Sequence, residues 1–182
     1  AESNYLKAHD ICKSTSRKDH STYVACLQNP GDLYSDMGEH SKAEAYLVEA
    51  LKIYRSKYGN HHEKTAKCLN NMGSLYRMMG DYAKAESYCL EATQTSKDIF
   101  GSKSAEYAVC LQTLGDLYVA MGNYTKAEKH YLDMLAIRKS LVGKHSPLYA
   151  GSLGTLANVY VNSGNYAQAE EYFLEALSIY KT

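Results

Sequence analysis

Glutamate recurs in this sequence at a constant interval, and carboxylates are side chains that can do chemistry. The recurring residues are Glu44, Glu86, Glu128 and Glu170, each 42 residues from the last. Carboxylates act as general acids and bases in catalysis, but a catalytic pair is needed at one place only. Recurrence therefore indicates a shared structural role. We place it at the start of a helix, where the helix dipole favours negative charge.

The other reactive residues also lack the spacing of a catalytic or metal site. No nucleophile–base pair and no glycine-rich phosphate loop is present. Cys26, Cys68 and Cys110 recur at the same interval, but packed helices lie roughly 8–10 Å apart, whereas a disulfide needs Cα atoms within about 7 Å. The adjacent His61 and His62 have no further ligand at metal-binding spacing. We therefore expect buried cysteines, no metal, no cofactor and no enzymatic activity.

Composition excludes several classes of partner. Among 182 residues, 20 Lys and Arg balance 20 Asp and Glu. Binding to nucleic acid or to an anionic membrane surface needs an excess of positive charge, so we expect neither partner. Five cysteines without a Cys-x-x-Cys pair are not the pattern of a secreted disulfide framework. With 45% hydrophobic residues and no apolar run of membrane-spanning length, the sequence predicts a folded cytoplasmic protein.

The 42-residue interval defines a whole repeat. Residues 73–86 and 115–128 both read Gly-x-Leu-Tyr-x-x-Met-Gly-x-Tyr-x-Lys-Ala-Glu. The excess of tyrosine, 18 residues against 2 Phe and no Trp, falls largely on repeat positions. All four repeats share a tyrosine (Tyr34, Tyr76, Tyr118 and Tyr160), a glycine (Gly38, Gly80, Gly122 and Gly164) and an alanine (Ala43, Ala85, Ala127 and Ala169). Such self-similarity predicts an array of identical structural units.

Each repeat carries two helical patterns separated by a turn. In the second repeat, apolar residues are spaced by three and four from Leu69 to Met79 and again from Tyr82 to Ala92, with Gly80 between them. We therefore predict an αα-hairpin in each repeat, with helices of about 15–18 residues. The second helices are expected to end at the equivalent glycines Gly59, Gly101 and Gly143.

Small and polar residues should determine how the helices meet and begin. Gly73 and Ala85 lie where the two helices of the second repeat must approach closely. His62 takes the inter-repeat position that serine occupies at Ser104 and Ser146. Because serine is a favoured N-cap, we predict that this position caps the following helix.

The repeat resembles the tetratricopeptide repeat. Leu-Gly-x-Leu-Tyr at residues 114–118, followed by Gly122, Ala127 and Tyr131, is similar to that family's motif. The period, with Gly-x-x-His or His-Ser-Pro between repeats, is similar to kinesin light chains. Leucine stands where the family usually has its leading Trp, and the Pro that usually closes the unit is absent.

The resemblance implies an all-α fold in which stacked hairpins form a right-handed α–α superhelix, or solenoid. The chain would contain about nine antiparallel helices in one continuous solenoid domain. Its expected divisions are a half repeat at 1–17 and four repeats at 18–59, 60–101, 102–143 and 144–182.

The resemblance also implies a concave groove that binds an extended peptide or partner segment and is lined by the first helix of each repeat. Asn and Gln offer both donors and acceptors to a peptide backbone. Lys67 and Arg77 favour a ligand with an acidic centre. The expected groove residues are Gln28, Asp32, Lys67, Asn70, Asn71, Ser74, Arg77, Gln112, Asp116 and Asn158.

Two other functions fit the same sequence. The array is alternatively a sensor segment of a larger protein with a catalytic or motor-associated domain elsewhere, or an architectural spacer. Both ends of the chain resemble cuts in a longer array and carry apolar residues such as Leu6 and Leu177. We therefore also expect end-to-end self-association of this fragment.

Pro30 interrupts the helical pattern of the first repeat. Proline lacks the N–H that would donate to residue 26 and clashes with the carbonyl there. We predict a kink or break between Cys26 and Pro30.

Overall fold

A computed structural model of the chain describes residues 34, 35 and 37–181. Within these residues the backbone forms seven α-helices and no strand, so the all-α fold class is confirmed. The helices are α1 (His40–Tyr58), α2 (Glu63–Met78), α3 (Tyr82–Phe100), α4 (Ala105–Ala120), α5 (Tyr124–Val142), α6 (Pro147–Asn162) and α7 (Tyr166–Tyr180). The predicted half repeat at 1–17, Cys26 and the kink at Pro30 lie outside the described residues.

Glycines end the helices where the sequence predicted. Gly59, Gly101 and Gly143 directly follow α1, α3 and α5 and have φ values of 81°, 86° and 80°. Glycine takes this left-handed conformation without the steric cost that a Cβ would bring. After α2, the N–H of Asp81 donates to the carbonyl of Tyr76 at 3.0 Å, which is the long hydrogen bond of a Schellman motif.

The predicted N-caps are also confirmed. Ser104 Oγ accepts a hydrogen bond from the backbone N–H three residues on at 3.1 Å, and Ser146 Oγ accepts one from the N–H two residues on at 3.2 Å. His62 does the same with Nδ1, which accepts from the N–H of Lys64 at 3.1 Å. An imidazole therefore replaces the serine hydroxyl at the start of α2.

The chain divides into two compact units, residues 1–92 and 93–182, and α3 contributes to each. In the described part of unit 1, α1 packs against α2. Leu47 and Leu51 of α1, with Leu69, Met72 and Leu75 of α2, are at most 5% exposed and form its core. Apolar burial of this kind is the main source of stability in stacked hairpins.

Unit 2 contains α4 to α7, and each of these helices packs against the next. Its core consists of leucines and methionine that are fully or almost fully buried: Leu111, Leu114, Leu117, Met134, Leu153 and Leu156. None of the seven described helices is both long and apolar enough to cross a membrane.

The predicted close approach at Gly73 is confirmed. A Cβ at Gly73 would overlap the Sγ of Cys89 and lie 3.2 Å from that residue's backbone N. Gly115, at the equivalent position of the next repeat, is restricted by a different neighbour. A Cβ there would lie 2.7 Å from the ring of Tyr131. Glycine is thus required for the packing of these two hairpins, whereas the fourth repeat has the buried Ala157 at this position.

Candidate binding faces of the first helices

A tyrosine–carboxylate hydrogen bond links successive repeats within each unit. Tyr76 O–H donates to Glu44 Oε1 in unit 1, and Tyr160 O–H donates to Glu128 Oε1 in unit 2, both at 2.6 Å. Burial, and then the neighbouring glutamate, raises the pKa of both tyrosines well above its usual value. Each phenol therefore remains a neutral donor to a charged acceptor.

The structural role predicted for the recurring glutamates is confirmed for Glu44 and Glu128, but the helix-dipole explanation is wrong. Glu44 is the fifth residue of α1, and neither α1 nor α5 has an acidic residue in its first turn. The dipole effect is limited to the terminal turn. The glutamate instead accepts a hydrogen bond from the next repeat.

The same tyrosines also join the two helices of their own repeat. The ring of Tyr76 stacks on that of Tyr88 with centroids 5.4 Å apart, and Lys84 Nζ lies 4.8 Å from the Tyr76 centroid. Equivalent stacked pairs are Tyr34–Tyr46, Tyr118–His130 and Tyr160–Tyr172. All four repeat tyrosines are therefore structural in their ring stacking, and in Tyr76 the cation–π contact and the hydrogen bond occupy the ring and the hydroxyl as well.

In unit 1, the expected groove residues share one side of α2, which we call the α2 face: Lys67, Asn70, Asn71, Ser74 and Arg77. Lys67 is exposed and the others are half-buried. Lys67 and Arg77 form no ion pair with another described residue. Two atoms of this face, Asn70 Oδ1 and Arg77 Nε, are buried without a hydrogen-bond partner among the described residues.

In unit 2, two expected groove residues of α4 are held by side chains from α5. Gln112 Oε1 accepts a hydrogen bond from Arg138 Nη2 at 2.7 Å. Arg138 Nη1 donates to Ser152 Oγ of α6 at 2.8 Å. Asp116 Oδ1 accepts a hydrogen bond from the Tyr131 hydroxyl. We call the surface of Gln112 and Asp116 the α4 face.

Sequence reasoning missed Arg138. Only 9% of this residue is exposed, and burial lowers its pKa, partly opposed by the attraction of Asp116. The available signal was a cation at a repeat position where the other repeats have the uncharged residues Tyr54, Ser96 and Tyr180. A buried cation in such a stripe needs acceptors, and the neighbouring helices supply them.

The ten expected groove residues therefore fall into three groups. Five lie together on the α2 face of unit 1, and Gln112 and Asp116 lie on the α4 face of unit 2. Asn158 is exposed on α6. Gln28 and Asp32 lie outside the described residues.

Cys68 and Cys110 are buried, as predicted for the recurring cysteines, and burial raises the pKa of the Cys110 thiol. A buried neutral thiol is a poor nucleophile and a poor metal ligand. Across residues 34, 35 and 37–181, no group of three or more His, Cys, Asp or Glu could hold a metal ion.

The chain is similar to several solved helical-repeat structures. BtubC (BKLC) from P. vanneervenii is 27% identical, with a TM-score of 0.85, over 100% of this chain and 72% of that one. The putative kinesin light chain with nearly identical repeats from Podosopora anserina is 18% identical, with a TM-score of 0.78, over 96% and 83%. A Rap protein solved with Competence and Sporulation Factor is 17% identical, with a TM-score of 0.81, over 97% and 48%.

The likeness in fold to kinesin light chains is thus confirmed. Among curated proteins, none matches the sequence significantly. The sequence profile of the tetratricopeptide repeat matches residues 1–56, 31–97, 65–140 and 107–182, which together span the whole chain. The chain therefore belongs to the tetratricopeptide repeat family.

Proposed function

We propose that this chain is a non-catalytic protein-interaction scaffold that binds an extended peptide or partner segment on the first-helix faces of its repeats. Family membership supports the general form of the proposal, because tetratricopeptide arrays commonly present binding surfaces for other proteins. The structurally similar Rap protein was solved with Competence and Sporulation Factor. The proposal includes a right-handed superhelix of about nine helices, the four repeats with the boundaries given above, and a cytoplasmic location.

The unpaired polar atoms of the α2 face carry this proposal. Asn70 Oδ1 and Arg77 Nε are buried without a hydrogen-bond partner among the described residues. Such atoms are rare in native proteins, and each costs about 1–3 kcal/mol when left unsatisfied. The two residues are seven apart, or about two helical turns, and so lie on the same side of α2. A bound peptide strand satisfies both, since its N–H groups donate to Asn70 and its acceptors receive Arg77.

Charge favours an acidic ligand centre at this face. Lys67 and Arg77 are about 15 Å apart along α2 by helix rise. Neither forms an ion pair with another described residue. A carboxylate placed between them gains attraction from both and forms charge-assisted hydrogen bonds with the guanidinium.

The test is a selection from a random peptide library on the immobilised chain, followed by calorimetry with the tightest peptide. We expect selected peptides to carry Asp or Glu at their centre, and Asn70→Ala and Arg77→Glu each to weaken binding about tenfold or more. Lys52→Glu is the matched control, since it makes the same charge reversal at an exposed position of α1. Failure to select any peptide, or equal weakening by the control, would overturn the proposal.

A specific observation also favours self-association through α7. Phe173, Leu177 and Tyr180 are 41%, 48% and 59% exposed. Their repeat equivalents in α5, against which α6 packs, are only 2%, 8% and 9% exposed: Tyr131, Leu135 and Arg138. The exposed face of α7 thus corresponds, position by position, to the face of α5 that α6 covers. We propose that a second copy of this chain covers it.

Sedimentation velocity over a range of concentrations tests this association. The wild-type sedimentation coefficient should rise with concentration, whereas Leu177→Glu should keep the chain monomeric because it places a charge in the apolar face. Val48→Glu, at an exposed position of α1, is the control and should behave as wild type. A wild-type chain that stays monomeric at the highest concentration would contradict the proposal.

A further inference from the structure

Two residues that lie outside the α4 face form hydrogen bonds with its side chains. Arg138 and Tyr131 both come from α5 and bond to Gln112 and Asp116 respectively. Arg138 also bonds to Ser152 of α6, so its guanidinium is fixed between two first helices. These contacts restrict the rotamers of both face residues before any ligand binds.

The contacts also decide which polar groups remain for a ligand. A guanidinium can only donate, so Gln112 must turn Oε1 towards Arg138 and direct its Nε2 donors elsewhere. Asp116 uses Oδ1 for the Tyr131 hydroxyl. Its Oδ2 has no hydrogen-bond partner among the described residues. The α4 face therefore offers one oriented donor and one oriented acceptor.

The spacing of the pair lets both side chains reach one extended peptide. Gln112 and Asp116 are four residues apart, or about 6 Å along the helix. On one edge of an extended chain, backbone groups of the same kind recur every two residues, about 6.6 Å, so a carbonyl and the N–H of the residue two further on lie within that interval. Space is available nearby in the same unit, since Gly154 takes in α6 the repeat position of Gln112 and has no atom within 4 Å of its would-be Cβ.

We propose that Gln112 and Asp116 form a backbone-reading pair, in which the amide donates to a peptide carbonyl and the carboxylate accepts from a peptide N–H. Arg138 and Tyr131 are the positioning residues that orient the pair. This inference rests on the proposed function and concerns unit 2 by itself: the α4 face binds peptide backbone of any sequence, whereas the proposed selection of acidic side chains belongs to the α2 face of unit 1.

The probe is N-acetyl-tetraalanine amide, which offers backbone groups and no polar side chain. Titrated into the ¹⁵N-labelled chain, it should shift the side-chain amide signals of Gln112, and its N-methylated form should not. Arg138→Met and Tyr131→Phe should each weaken this binding about fivefold, the loss of one hydrogen bond. Combining Arg138→Met with Gln112→Ala should weaken it no further than Gln112→Ala alone.

A positioning role has a signature that does not depend on the probe. In the free chain, Arg138→Met should move the Gln112 amide signals towards the values of an unrestrained glutamine and leave those of Asn158 unchanged. If Arg138→Met fails to fold, Tyr131→Phe decides the matter, since Phe173 is the chain's own residue at that repeat position.

Unchanged probe affinity in Gln112→Ala, or in both α5 variants, would overturn the inference. The proposed function would survive that result if the library-selected acidic peptide still bound in a manner sensitive to Arg77→Glu. Loss of that sensitivity as well would overturn both.

Discussion

The hydroxyl of Tyr76 donates a hydrogen bond to Glu44 across the boundary between two repeats, and Tyr160 makes the same bond with Glu128. This relationship explains why tyrosine, not phenylalanine, recurs at these positions. The ring alone would serve the stack within the hairpin, but only the hydroxyl reaches the glutamate of the preceding repeat. The tyrosine thus connects the two helices of its own hairpin and also connects that hairpin to the preceding repeat.

Removing that hydroxyl should destabilise the chain. We expect Tyr76→Phe to lower the free energy of unfolding by about 1–2 kcal/mol, because it leaves Glu44 without its donor while the ring stack is kept. Urea denaturation measures the change. Tyr88→Phe is the control, since Tyr88 stacks on Tyr76 but makes no hydrogen bond with another described residue. Equal stability of both variants would contradict the role assigned to the hydroxyl.

Alkaline pH should act through the same bonds. The folded-state pKa of Tyr76 and Tyr160 is raised, whereas an unfolded tyrosine titrates near pH 10. Their contribution is therefore fully present below about pH 10 and is lost as the pH rises towards the folded-state value. Urea midpoints at about pH 8 and 11 should fall less in the Tyr76→Phe/Tyr160→Phe double variant than in wild type. An equal fall would contradict the account.

Acid pH should act through His130, which stacks on Tyr118. Burial lowers the pKa of His130, and Lys129 and Lys126 act in the same direction, whereas Asp133 opposes them. The unfolded chain, with a histidine pKa near 6.5, therefore binds the proton first. Stability present above about pH 6.5 should be lost as the pH falls towards the folded-state value.

The chain supplies its own control for this effect. Tyrosine occupies the position of His130 in the other repeats, at Tyr46, Tyr88 and Tyr172. His130→Tyr should keep the stack and reduce the loss of stability between about pH 7 and 5, as followed by thermal unfolding. An acid dependence identical to wild type would show that His130 does not contribute.

Two helical glycines should respond in opposite ways to alanine. Gly115→Ala should cost about 1–3 kcal/mol, because the new Cβ would lie 2.7 Å from the Tyr131 ring. Gly154→Ala should gain about 0.5–1 kcal/mol, because its Cβ would meet no atom within 4 Å and alanine favours the helix. Equilibrium unfolding of the two variants separates the effect of core packing from that of helix propensity. Equal changes in their free energies of unfolding would contradict this explanation.

The features that sequence could predict are those that depend on local chemistry. Helix ends at Gly59 and Gly101, and the caps at Ser104 and Ser146, follow from backbone conformation and neighbouring donors, and the period repeats them. The Tyr76–Glu44 bond joins residues 32 apart. Recurrence indicated that each repeat position has a structural role, but it did not show which repeat positions are in contact in the folded chain.

The α4 face could be predicted only in part for the same reason. Gln112 and Asp116 were expected from the family resemblance, but their orientation depends on Arg138 and Tyr131 of another helix. Arg138 breaks the pattern of its own repeat position, so periodicity gave no indication of its partners. Such contacts depend on the packing of three helices.

Charge exchange at Arg77 tests the central claim most directly. The library-selected peptide and a version with its central acid replaced by lysine are each titrated calorimetrically into wild type, Arg77→Glu and Lys52→Glu. We predict that the lysine peptide binds Arg77→Glu at least tenfold more tightly than it binds wild type, while Lys52→Glu behaves as wild type with both peptides. If the lysine peptide shows no preference for Arg77→Glu, the α2 face is not the binding surface.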